Sequence, residues 1–244
     1  MTTNPTTNAF LANNDHGLSK AECQIMDNAY AEGRSLKDIM GDLKRAALAQ
    51  DLEDMPQDAA GKERWWQRWE ATTQEAYGAY MGTWETFPLH MAAGRGREDI
   101  LAQELAAGRH DINAVDDDRR TALHCAAAGG SSETLDLLLA HGADIHARSK
   151  FEATPLHDAA WVGNTQGCDK LLAAGAPMEA QDRFGRTPLH LAAEAGRAST
   201  YQALVGRGAQ ESALTNQGET AMQLASASMK AALKEQGEGL AMGM

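Results

Sequence analysis

The sequence predicts an all-α protein: a solenoid of about five stacked helix pairs, preceded by a small N-terminal helical unit. Three observations predict it. The stretch Thr187-Pro188-Leu189-His190-Leu191-Ala192-Ala193 has copies 33 residues apart at Thr154-Pro155-Leu156-His157 and Thr121-Ala122-Leu123-His124, and a further one 34 residues earlier at Phe87-Pro88-Leu89-His90. A decayed copy, Thr220-Ala221-Met222-Gln223, follows 33 residues downstream. Gly108, Gly142, Gly175 and Gly208 each fall 21 residues after the Thr-column position. Between these landmarks Leu101, Leu135, Cys168 and Tyr201 align, as do Leu105, Leu139, Leu172 and Val205. A period held this tightly means one structural unit repeated in single file.

Each column has a physical reason. Thr caps the open N–H groups of a helix start. Pro fits the first helical position, where no N–H is needed. Leu points to the core, and paired alanines let neighbouring helices approach closely. Gly ends the second helix in the left-handed conformation. The unit therefore runs turn, short helix, turn, longer helix, loop.

On these residues the chain resembles the ankyrin-repeat family, over about 84–236. The resemblance implies helix pairs stacked in a curved solenoid, with turns projecting like fingers along one edge. It implies a protein-binding role, and structural hydrogen bonds at the turn for His90, His124, His157 and His190. It also implies that the partner meets the finger tips and the exposed side of the first helix.

In chain order, residues 1–17 lack periodicity and read as a flexible tail. Residues 18–83 read as the helical unit. Ser19-Lys20-Ala21-Glu22 resembles a capping box, opening a helix with Cys23, Met26 and Tyr30 on one face and Gly33 at its end. Ser35 to Asp38 opens a second, with Leu36, Ile39, Met40, Leu43 and Ala47 at helical spacing. A third is expected from Ala59 to Tyr80. Four of the five tryptophans fall between Trp65 and Trp84. They either seal the open end of the solenoid, which a terminal repeat requires, or form an aromatic patch for a partner. Repeat one departs from the pattern: Phe87 replaces the capping Thr, Glu104 stands where later units have Leu138, Leu171 and Leu204, and one residue is added after Gly108. Repeat five has a polar second helix, near 228–236, suited to a terminal cap. Residues 237–244 read as a loose tail.

Composition narrows the function. Acidic residues outnumber basic ones, for a net charge of −12. This balance argues against a nucleic-acid ligand, since phosphate contacts need clustered Lys and Arg. The acidic balance has two readings, plain solubility or attraction of a basic partner. Three cysteines make no disulfide framework, and Cys125 and Cys168 sit in repeat columns as small apolar residues. With no signal-peptide pattern and no membrane-spanning stretch, the expected location is cytoplasmic.

Catalytic and metal chemistry find little support. The four repeat histidines lie in different units, ~10 Å apart in a stack, too far to share one zinc ion. His124 and Cys125 are adjacent in a helix and point apart. Gly94-Arg95-Gly96 lacks the context of a phosphate loop, and Asp116-Asp117-Asp118 lacks the closing Glu of a calcium loop. No enzyme activity, cofactor, metal, nucleic acid or membrane is expected.

What remains are positions the fold does not dictate. Counting from the Thr column gives Trp84 and Arg95 in repeat one, Lys150, Phe151, Trp161 and Val162 in repeat three, and Arg183, Phe184, Arg186 and Glu194 in repeat four as partner-binding residues. Asp158 joins them, because it stands in a column otherwise held by Met91, Cys125, Leu191 and Leu224. Exposed, it would orient a basic partner group; buried, it must be paired. Phe151 and Phe184 either bind a partner or pack on each other across the fingers. The finger glycine of Gly185 and Gly218 is Arg119 and Glu152 in the two preceding units, so either the turn differs there or strain is accepted. The expected function is a non-catalytic protein-binding module. Narrower or rival readings are an inhibitor or immunity-type protein that neutralises a basic toxin or enzyme, and an enzyme with its catalytic residues in the front unit.

Overall fold

The computed structural model describes residues 20–48, 67, 86–129, 131–226, 229, 230 and 233. Every regular element among them is helical. The chain divides into two compact units, with the boundary between Pro88 and Leu89.

The front unit contains α1 (Lys20–Glu32) and α2 (Leu36–Leu48), which pack together. Gly33 ends α1 with φ +63°. Asp38 accepts from both the backbone N–H and the hydroxyl of Ser35, at 3.0 and 2.7 Å, closing the start of α2. Met26, Ala29, Ile39 and Leu43 are fully buried. They fall at helical spacing, so each helix buries one stripe. Of the expected third helix only Gln67 is described, and it is helical; the tryptophans between Trp65 and Trp84 lie outside the described residues.

The repeats supply α3 (Pro88–Gly94) and α4 (Glu98–Ala107), α5 (Ala122–Gly129) and α6 (Ser132–Ala140), α7 (Pro155–Val162) and α8 (Thr165–Ala173), then α9 (Pro188–Glu194), α10 (Ala198–Gly206) and the short α11 (Ala221–Leu224). The first helices α5, α7, α9 and α11 pack in series, and so do the second helices α4, α6, α8 and α10. Leu123, Leu156 and Leu189 and the alanine pairs that follow them are sealed from water. The second helices bury Leu135, Cys168 and Tyr201, with Leu138, Leu171 and Leu204. The outer column of Leu139, Leu172 and Val205 is only half-buried. All four terminating glycines have left-handed φ, from +61° at Gly108 to +98° at Gly175 and Gly208.

Repeat one shows what its irregularities do. The bond from Ala114 N–H to the Asp111 carbonyl recurs as Ala147 to Asp144, Ala180 to Pro177 and Ala213 to Gln210. The added residue therefore lies between Gly108 and Asp111. That stretch brings Arg109 and His110 to 3.5 and 3.4 Å from the buried Glu104 carboxylate. The longer loop thus carries compensation for a charge in a leucine column.

The fingers are tight turns, each closed by a bond from the first residue's N–H to the fifth residue's carbonyl: Asp116 to Arg120, Ser149 to Ala153, Asp182 to Arg186 and Thr215 to Glu219, at 2.9–3.0 Å. Successive fingers are also bonded to each other. Lys150 N–H donates to the Asp118 carbonyl, Arg183 to Phe151 and Asn216 to Phe184, at 2.8–3.0 Å. The turn does not change where glycine is missing: Arg119 and Glu152 hold φ of +57° and +60°, a strained conformation for L-residues. At Gly185 the glycine is needed twice over, since a Cβ there would come within 2.6 Å of the Asn216 backbone nitrogen.

The histidines join one unit to the next. In repeats two, three and four Nδ1 accepts the N–H of the Thr that precedes the helix, at 3.1–3.2 Å. Nε2 of His90, His124, His157 and His190 faces the carbonyl of Arg120, Ala153, Arg186 and Glu219 in the following finger, at 2.9–3.2 Å. A carbonyl only accepts, so Nε2 carries the proton; an Nδ1 that accepts carries none. The rings are neutral, and burial pushes His124 and His157 down to about 4. Their neutral form is favoured in the fold, so their contribution is complete above about 6.5 and is lost as pH falls towards 4. The limit is about 3 kcal/mol for each ring. Urea unfolding at pH 8, 6 and 5 should show the stability that His157 contributes, read as the difference between the natural chain and His157→Gln, falling steadily. His157→Gln should keep the local cap, as Gln223 does in repeat five by accepting the Thr220 N–H at 2.7 Å. It should cost about 1–3 kcal/mol at pH 8 and flatten the acid slope; an unchanged slope would contradict this role.

Candidate functional site

The site is built where repeat three departs from its neighbours. In repeats two and four the finger opens on Asp and closes on Arg. Asp116 accepts the N–H groups of Asp118 and Arg120 at 2.9 and 2.8 Å, and its other oxygen takes the Arg120 guanidinium at 2.9–3.0 Å. Asp182 does the same for Phe184 and Arg186, at 2.8–2.9 Å throughout. Repeat three has Ser149 and Ala153 at these positions. The turn survives, but two large side chains are missing. The space left is a small cleft open to solvent. Its lining includes Asp118, Arg120, Phe151, Asp158, Trp161 and Arg186.

Asp158 on α7 forms the floor and is only 9 % exposed. Among the described residues no hydrogen bond or ion pair reaches its carboxylate. Arg120 attracts it, but that guanidinium is already bonded to Asp116. Burial, the larger effect, pushes the Asp158 carboxyl up to about 7. The expectation that a buried Asp158 must be paired is therefore not met by a contact; the group holds its proton more tightly instead.

The rim is aromatic and cationic. Phe184 is 46 % exposed. The Arg183 guanidinium lies 5.0 Å from the centre of the Phe151 ring and 5.7 Å from that of Phe184, with Arg186 at 4.8 Å on Phe184. These are cation–π distances. Arg183 is exposed and pairs with no carboxylate among the described residues, so its charge remains available. Arg186 differs from the sequence expectation of a solvent-facing arginine. It is held by Asp182 and, at 2.9 Å, by Glu194. Both Arg186 and Glu194 thus serve the fold of repeat four as well as the surface.

Of the other expected residues, Lys150 is exposed at the finger tip, 3.9 Å from Asp118. Arg95 and Val162 are half-exposed and do not line the cleft. Trp84 lies outside the described residues. The fold brings Phe151, Asp158, Trp161 and Arg186 to one cleft and sets Arg183 and Phe184 on its rim. The part that Ser149 and Ala153 play went unread in the sequence. Its signal was present, in the comparison with Asp116/Arg120 and Asp182/Arg186.

Nothing here resembles an activated nucleophile. Cys125 and Cys168 are buried, and burial pushes both thiols up to about 12. Among the described residues no group of three His, Cys, Asp or Glu side chains could hold a metal ion, and no helix is long and apolar enough to cross a membrane.

Because the folded pKa of Asp158 exceeds its ordinary 3.8, an unfolded chain ionises first and stability falls as pH rises from about 4 to 7. This opposes the histidines. Asp158→Asn should be more stable than the natural protein by about 2–4 kcal/mol at pH 8 and nearly equal to it at pH 4. Paired urea titrations check this; a variant that loses stability at pH 8 would mean that the carboxylate is satisfied.

Comparison with known proteins adds a family model, ankyrin repeats (3 copies), which matches residues 70–149 and 156–234. Over 59 residues, 24 % of this chain, the sequence is 42 % identical to ankyrin repeat domain-containing protein 13B of mouse and of human. It is 41 % identical over 59 residues to zinc finger CCCH domain-containing protein 29 of Arabidopsis thaliana. The matches span only 9–10 % of those proteins.

Proposed function

Since this chain belongs to the ankyrin-repeat family, whose repeats generally bind other proteins, we propose that it is a non-catalytic binding module that meets a partner protein through the fingers and first-helix face of repeats three and four. The observation that carries this reading is the continuous strip of Phe151, Arg183 and Phe184 beside Trp161. Aromatic and arginine side chains dominate the energetics of protein interfaces. Here the finger ladder holds them side by side, so less side-chain entropy is lost on binding. Phe184 stacks on Arg183 and Arg186 and still leaves 46 % of its surface exposed, so part of the ring is open to a partner. The acidic chain, at −12 overall, favours a protein partner over nucleic acid. The buried, unreactive thiols suit a reducing compartment, and a cytoplasmic location belongs to this reading.

The triple variant Phe151→Ser, Trp161→Ser, Phe184→Ser tests it. Tagged natural and variant proteins, with matching far-ultraviolet circular dichroism, are incubated with the same extract and their bound proteins compared by mass spectrometry. Proteins held by the natural chain should be lost, by about a hundredfold or more, from the variant. Equal recovery on both would place the interface elsewhere.

A further inference from the structure

We propose that the cleft of repeat three receives a lysine-type cationic side chain of the partner, its ammonium group on the Asp158 carboxylate and its methylene stem between Phe151 and Trp161. The proposal rests on the protein-binding reading above and adds the partner's chemistry to it.

The argument starts from Asp158. A carboxylate at 9 % exposure that accepts from no protein donor among the described residues is open to a donor brought by a ligand. Such a group is costly to keep, and a ligand that supplies a cation relieves the cost. The charges around it are otherwise matched. From repeat two, Arg120 is bonded to Asp116, beside the buried thiol of Cys125. From repeat four, Arg186 is shared by Asp182 and Glu194. At the mouth, Asp118 faces Lys150 at 3.9 Å. Glu194 and Asp158 are then surplus negative charges against the one unpaired guanidinium of Arg183 on the rim, so the cleft with its walls and rim is net negative when Asp158 is ionised.

Shape agrees with charge. Phe151 and Trp161 are aromatic walls that attract a cation and cover an alkyl stem. Ser149 and Ala153 leave the opening where the neighbouring repeats hold an Asp–Arg pair. The missing guanidinium of repeat three is the chemistry the cleft lacks. A compact ammonium on a flexible stem suits a narrow opening better than a planar fork.

The pH dependence of binding has a definite sign. A cation needs Asp158 ionised, so affinity should rise with pH through neutrality while the lysine stays charged. A backbone carbonyl bonded by protonated Asp158 would show the opposite trend. The experiment is a nuclear magnetic resonance titration of the full chain with Nα-acetyl-lysine amide, read at the Trp161 indole N–H and at backbone amides of 149–153. Binding should be about tenfold tighter at pH 8 than at pH 6. Nα-acetyl-norleucine amide should leave the signals unmoved. Asp158→Asn should weaken lysine-amide binding about tenfold at pH 8 and remove its pH dependence. The double variant Ser149→Asp, Ala153→Arg, which restores the pair of the neighbouring repeats, should not bind at all.

Equal shifts with norleucine amide, affinity that falls with pH, or no shift with lysine amide would each overturn the cation site. If lysine amide fails while the triple serine variant still loses its partner, the protein-binding reading stands without this inference. If lysine amide binds as described and the triple variant keeps its partner, the proposed interface is wrong and the cleft is not part of it.

Discussion

One bond sets the geometry of the array: the Nε2–H of a first-helix histidine donating to the carbonyl at the end of the next finger. It recurs four times at 2.9–3.2 Å. In the three units that begin with Thr, the same ring accepts the N–H of that Thr through Nδ1. One neutral imidazole thus caps its own helix and locks the following turn. Both tasks need a single proton on a single nitrogen; burial and the acceptor role of Nδ1 keep the ring uncharged, against the weaker pull of the carbonyl at Nε2. With fingers held at a fixed spacing, their backbones can bond to one another, and Phe151 and Phe184 come to lie on adjacent rungs.

A frame with that much repetition tolerates local departures. Stability in a stacked array is close to a sum of units and nearest-neighbour contacts, so one unit can be weakened without collapse. Repeat three uses this latitude. It gives up the Asp–Arg pair at its finger, holds Glu152 at φ +60° and buries a carboxylate on its first helix. The strained turn is shared with Arg119 of repeat two, whereas the lost pair and the buried carboxylate both border one cleft. Costs that cluster in this way are expected at a site kept for binding.

The regular part of this architecture was legible in the sequence because each signal is local chemistry at a set interval: a Thr to cap, a Pro at the first helical position, an Ala pair to admit a neighbour, a Gly to end. The extra residue after Gly108 could be placed by counting alone. Pairings that depend on the folded finger were not legible. Arg186 reads as available in the sequence, whereas in the fold Asp182 and Glu194 hold it. Asp158 stood out in its column, but its burial follows from α5 and α9 packing against α7, which periodicity does not report. The cleft comes from two small residues, Ser149 and Ala153, whose effect shows only against the Asp–Arg pairs of the neighbouring fingers. In the front unit, caps and apolar spacing located α1 and α2 without any repeat to help.

The state of the histidine rings tests the account most directly. Long-range proton–nitrogen correlation spectra of the full chain, recorded from pH 7.5 down to 5, report which ring nitrogen carries the proton. His124 and His157 should appear as the neutral Nε2–H form throughout, with no titration near 6.5. Rings that protonate near 6.5, or that carry their proton on Nδ1, would mean the bond between helix and finger is not made and would remove the basis for the ordered strip.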